Sequence, residues 1–145
     1  SQNYLSDYNP HAKLAKTIPN IVVSEEEDFR YIRAAADVII TSAPFSTLGW
    51  CVGVDKPIVY LDSPMFQPLE NDLVSRAFDE CFFMFNIDLE GWEEQLSEFL
   101  NKSLEEIESR WQEKSRYREQ YDDIYFLNRD KNAGQIGAEF ISNII

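Results

Sequence analysis

Short apolar runs alternate along the chain with segments whose apolar residues recur every three to four positions. Ile21–Val23 is a β-branched run that predicts a strand. Ser24 follows as a helix N-cap, with Glu27 three residues on completing a capping box, and the helix carries Phe29, Ile32, Arg33 and Ala36. Asp37 ends it. Val38–Ile40 then predicts a strand buried on both faces. A hydroxyl-rich loop, Thr41–Ser46, leads into a helix reaching about Val54, and Asp55-Lys56-Pro57 turns the chain. Ile58–Leu61 is a third strand, followed by a Pro-containing loop to about Pro68. A helix over Glu70–Phe78 precedes a fourth strand over Cys81–Phe85. Beyond residue 88 the pattern is helical. Leu89, Trp92, Leu96, Phe99 and Leu100 share one face, residues 103–120 are charged with a sparse stripe of Leu104, Ile107 and Trp111, and the last helix carries Ile136, Phe140, Ile141 and Ile144. Before the first strand, Pro10 and Pro19 bracket a helical turn over His11–Lys16.

Strands alternating with helices predict an α/β, Rossmann-like parallel sheet of about four strands flanked by helices, with a helical C-terminal part over 88–145. A length of 145 residues suits one domain over 1–145. Ligands of such sheets sit beyond the carboxyl ends of the strands and at helix N-termini. That places attention on the loop 41–47 and on the loop 62–69.

Charge narrows the partners. There are 26 acidic against 13 basic side chains, a net charge of −13, and no basic stripe, which argues against a nucleic-acid or anionic-membrane surface. No apolar stretch is long enough to span a bilayer and no leader peptide is evident. Cys51 and Cys81 lie in apolar runs and read as buried free thiols of a reducing compartment. Neither they nor the lone His11 form a metal-ligand pattern, so no metal is expected. The start at Ser1-Gln2-Asn3 without Met fits a portion of something longer.

The chemistry concentrates in Thr41–Gly49. Hydroxyls cluster between a buried strand and a helix start, where the N–H groups of Ser46, Thr47 and Leu48 lack intrahelical partners. With Ser42 and the helix dipole they form a candidate diphosphate site without a basic residue; Thr41 and Asp62 are further candidate contacts. Ser46 or Thr47 serves equally as a plain N-cap, and Asp62 as the opener of an Asx turn before Ser63-Pro64. No catalytic residue is assigned.

The run from Asp37 to Ser42, then Phe45–Gly49, then Asp55-Lys56-Pro57-Ile58-Val59 resembles the C-terminal nucleotide-binding lobe of GT-B glycosyltransferases, closest to the CDP-glycerol glycerophosphotransferase-like and capsule-polysaccharide branch. Phe126–Ala133 resembles the closing helix motif of that branch. The resemblance covers about residues 20–62 and, more weakly, 125–145. It implies an incomplete GT-B C-terminal lobe that holds the donor's diphosphate with the loop hydroxyls and helix start. It implies a nucleotide-activated sugar or glycerol as substrate, no cofactor, an N-terminal lobe elsewhere in the same protein, and work in the cytoplasm at the inner face of the membrane. Two positions depart from the pattern: Trp50 stands where many of these enzymes carry a ribose-binding Glu, and Asp55 stands where Gly is usual. Asp tolerates left-handed backbone better than most residues, so the turn can survive. The lobe's first two strands have no counterpart in the chain. A competing reading is a non-catalytic α/β binding or assembly domain that docks a partner through its charged C-terminal helices. A receiver-like signalling domain would need acidic residues where Thr41-Ser42 stands.

Overall fold

The computed structural model describes residues 10–23, 29–42, 44, 46–69, 71–125, 138 and 141–143. The chain forms two compact units, Ser1–Ala35 and Ala36–Ile145. Among its described residues the first holds α1 (Pro10–Thr17) and α2 (Phe29–Ala35). The second runs β1 (Ile39–Thr41), α3 (Ser46–Val52), β2 (Ile58–Asp62), α4 (Asp72–Cys81), β3 (Phe83–Asn86), α5 (Trp92–Leu100), α6 (Leu104–Glu113) and α7 (Ser115–Tyr125). The strands form a parallel sheet in the order β1-β2-β3.

Among the described residues the sheet thus has three strands where the hydrophobic pattern predicts four. Ile21–Val23 forms no strand: a turn bond from the Ile21 N–H to the Ile18 carbonyl precedes it, and Val22 is 88% exposed. β-branched residues favour strands only where a pleated neighbour takes their side chains, and no described residue pairs with this run. The proposed Ser24–Glu27 capping box lies outside the described residues, as do Phe126–Ala133 and most of the last helix. β1 is corrected as well. It was expected to be buried on both faces, yet it is bonded to β2 alone among the described strands, and Ile40 is half exposed although its register partner Val59 is fully buried.

The boundary between α4 and β3 falls later than the apolar run suggests. Phe78, Cys81 and Phe82 are spaced for a helix face, all three are buried, and the Phe82 N–H still bonds the Phe78 carbonyl at 2.8 Å. The run Cys81–Phe85 is therefore shared between a helix end and a strand. At the other end of α4, the Asn71 side chain accepts from the N–H groups of Leu73 and Val74 at 3.0 and 3.1 Å. Asn71→Ala is expected to cost about 1 kcal/mol in urea unfolding, the usual loss when an N-cap is removed; an unchanged midpoint would show that water caps this helix equally well. Ser103 caps α6 in the same way, accepting from the Glu106 N–H.

Aromatic rings fill both sides of the sheet. Phe78 of α4 stands edge-on to Tyr60 of β2 at 5.1 Å and to Tyr121 of α7 at 6.0 Å. Side chains alternate along a strand, so Val59 and Leu61, with their partners Phe83 and Phe85, point the other way. There Phe99 of α5 meets Phe83 at 4.6 Å and Phe85 at 5.6 Å. Trp111 of α6 closes the core, 2% exposed, stacked on Phe82 and tilted against Phe83. Its indole Nε1–H donates to Asp55 Oδ1 at 3.1 Å, and the Arg118 guanidinium lies 3.5 Å over its ring. The turn at Asp55 does survive without Gly: Asp55 has φ of 29°. Its side chain gains a role that Gly could not supply, as acceptor for Trp111 and ion-pair partner of Arg118 at 3.6 Å.

Candidate functional site

The three strands end side by side, so the segments after Thr41, Asp62 and Asn86 form one rim. At the β1 end, Thr41 is half-buried, and Ser42 is exposed. The Tyr60 hydroxyl donates to the Ser42 carbonyl at 3.4 Å, tying the loop to the middle strand. Burial first, and the Asp62 charge second, push the Tyr60 phenol up to about 12, so it stays protonated and remains a donor. Helix α3 begins at Ser46, as expected. The Leu48 side chain is 1% exposed and belongs to the core, which leaves only its backbone N–H for a ligand. Trp50 is half exposed on the same helix. The side chains of Ser46 and Thr47 lie outside the described residues.

The β2 and β3 ends are joined by a residue that the sequence did not single out. Asp88 accepts from Ser63 Oγ at 2.8 Å and from the Met65 N–H at 2.7 Å. Its own N–H donates to Asn86 Oδ1 at 2.9 Å, and the Ile87 N–H bonds the Asp62 carbonyl at 2.8 Å. The loop 63–67 then closes on itself through Phe66 and Gln67 N–H bonds to the Ser63 carbonyl. This clamp holds Met65 and Phe66 outward, 74% and 83% exposed. The signal for it was the Asn86-Ile87-Asp88 step after an apolar strand, a common Asx-turn pattern.

Asp62 is at the carboxyl end of β2 but does not open the loop's turn; Ser63 does. Its side chain shares a sheet face with Tyr60 and Met84 and borders a cavity of about 420 Å³ with Asp72, Ser75, Arg76 and Asp79 of α4. Asp62 is 9% exposed, and its Oδ1 is shielded from solvent without a hydrogen-bond partner. Burial raises its pKa above the ordinary carboxylate value, and the Asp88 charge adds to that; a Ser63 backbone hydrogen bond works in the opposite direction. A raised pKa in the folded state means that the native protein holds this proton more tightly than the unfolded chain. Ionising Asp62 therefore costs stability as pH rises through its folded pKa, and nothing is lost below the unfolded value. Asp62→Asn is expected to be more stable than the parent chain at neutral pH, with the difference closing on acidification below the ordinary carboxylate range. Thermal melts across that range check it; a variant less stable at neutral pH would mean that Oδ1 too has a donor.

Among the described residues no group of three or more His, Cys, Asp or Glu is placed to hold a metal, and no helix is long and apolar enough to cross a membrane. Cys51 and Cys81 are buried and form no disulfide, as expected. The structure therefore brings Thr41, Ser42, the start of α3 and Asp62 to one rim of the sheet. It adds Tyr60, Ser63, Asn86 and Asp88 as the residues that fix that rim. No protein-family model, no curated protein and no solved structure matches the chain.

Proposed function

We propose that the chain is the donor-binding part of a GT-B-like glycosyl- or glycerophospho-transferase of surface polysaccharide synthesis, in the cytoplasm and brought to the inner face of the membrane through the rest of the protein. The observation that carries this reading is the rim at β1. The exposed Ser42, its carbonyl held by the Tyr60 hydroxyl, lies between a parallel strand and the start of α3. Backbone N–H groups at Ser46, Thr47 and Leu48, with the Ser42 hydroxyl, would hold the diphosphate of a nucleotide-activated sugar or glycerol. In the transfer, an acceptor hydroxyl loses its proton and bonds to the donor's reacting centre. The bond to the diphosphate oxygen breaks, and the nucleotide leaves with the bonding pair. Oriented N–H groups lower the cost of the charge that develops on that leaving group. The base and the second wall of the cleft belong to an N-terminal lobe of the same protein. No cofactor enters, since the nucleotide diphosphate is itself the substrate.

Amide shifts of Ser42, Ser46, Thr47 and Leu48 during titration with CDP-glycerol and UDP-sugars test the reading. Saturable shifts confined to this loop are expected. Silence at all four with every nucleotide sinks it.

A second reading, a non-catalytic assembly domain, is favoured by the clamped, exposed Met65–Phe66 tip. The charged C-terminal helices are a poorer docking handle, because Ile107, Trp111, Arg118 and Tyr121 on α6 and α7 are buried. Deleting 103–145 would remove core side chains along with any docking face. The informative variant is Met65→Ser with Phe66→Ser, read by sedimentation. Loss of self-association with unchanged nucleotide shifts would support assembly through the tip.

A further inference from the structure

The cavity between β2 and α4 shares Asp62 with the rim, but its chemistry is opposite to that of the diphosphate loop at Ser42–Leu48. Three carboxyl groups, those of Asp62, Asp72 and Asp79, border it with one guanidinium, that of Arg76. An anion is therefore disfavoured. The carboxyls are also spread out: Asp72 and Asp79 lie seven residues apart on α4, about 10 Å along its axis. Arg76, between them in the helix, disfavours one compact cation at the middle of the row. Among the described residues no metal-holding cluster exists here or elsewhere.

Asp62 adds the second, separate observation. It is nine-tenths buried and its Oδ1 has no donor. A hydroxyl could donate to it but would leave its charge uncompensated, whereas an ammonium group supplies both a donor and the counter-charge. Met84 contributes an apolar wall suited to methylene groups. We propose that this cavity binds a linear aliphatic diamine or polyamine, with one ammonium group on Asp62 and the rest of the chain lying along the Asp72–Asp79 face of α4.

Isothermal titration calorimetry of the whole chain with cadaverine and spermidine, at near-physiological salt, tests this, with Mg²⁺ as the compact-cation comparison. Saturable binding is expected, and Asp62→Asn and Asp79→Asn should each weaken it about tenfold or more, as loss of one partner of a close charge pair does. The double variant Glu105→Gln with Glu108→Gln removes more charge from the exposed face of α6 and should leave affinity within about twofold. Asp79 is exposed, so its variant tests the site apart from any change in stability at Asp62. Wild-type affinity in both Asp variants overturns the proposal, as does an equal loss in the α6 variant, which would signal adsorption to net charge. Displacement by equimolar Mg²⁺, or no saturation below about 10 mM, also overturns it.

Discussion

Trp111→Ala is expected to destabilise the 36–145 unit by about 3–5 kcal/mol, the range for truncating a buried large aromatic. The side chain is 2% exposed and contacts Phe82 and Phe83 of the α4–β3 junction. Its removal opens a cavity at the one place where α6, the end of α4 and β3 meet. It also strips the ring from beneath Arg118, whose Nη1 donates to the Trp111 carbonyl at 2.6 Å. A cation held over an indole contributes beyond area burial. Each kcal/mol shifts the melting temperature of a domain near this size by about 4–8 °C, so the loss should exceed about 10 °C. Trp111→Phe separates the contributions. It keeps most of the packing but loses the Nε1 donor to Asp55, an acceptor that is three-quarters exposed and can turn to water. A loss of about 1–2 kcal/mol is expected for it. Equal losses in the two variants would place the stabilisation in the Asp55 hydrogen bond, contrary to the packing account.

Phe78→Ala is expected to cost a similar 3–5 kcal/mol, on the opposite face of the sheet. Phe78 is 2% exposed and makes three edge-to-face contacts, with Tyr60, Phe82 and Tyr121. Such pairs add about 0.5–1.5 kcal/mol each beyond area burial. This substitution carries a second readout. Burial is the main cause of the Tyr60 shift to about 12, and Phe78 lies against the Tyr60 ring. Opening that face should let the phenol titrate lower, towards its ordinary value, in ultraviolet pH titration of the folded variant. A destabilised variant whose Tyr60 titration is unmoved would show that other groups desolvate the ring.

Legibility from the sequence followed the range of the interactions. Helices and buried strands were readable wherever a local period was enforced, as in Ile58–Asp62 and in the Phe99-bearing helix. The reading failed where one apolar run served two elements. Cys81 and Phe82 look like strand because they precede Phe83–Phe85, but they complete the Phe78 face of α4. It failed again at Ile21–Val23, where propensity had no pleated neighbour to act on. Of the candidate site, what was legible is that Thr41, Ser42 and Asp62 come at the carboxyl ends of β1 and β2 and that a helix starts at Ser46. The Asx step at Asn86 was open to reading, but the reach of Asp88 to Ser63 and Met65 and the cavity beside Asp62 were not. They depend on the Asp62–Asn86 register between strands 24 positions apart and on how α4 lies across the sheet. The Asp55 turn shows both limits: its left-handed backbone was foreseeable from residue type, whereas its bond to a residue 56 positions away was not.

That bond also sets an order for making the protein. All the described strands are clear of the ribosome once residue 86 has emerged, yet Phe82 and Phe83 receive their indole only when residue 111 emerges. At translation rates of about 5–20 residues per second, the intervening stretch of roughly 25 residues takes about 1–5 s. Through that interval the nascent sheet presents uncovered aromatic rings at the ribosome exit. A chain truncated before Trp111 would hold that state permanently and should be a preferred client of chaperones that bind exposed apolar surface.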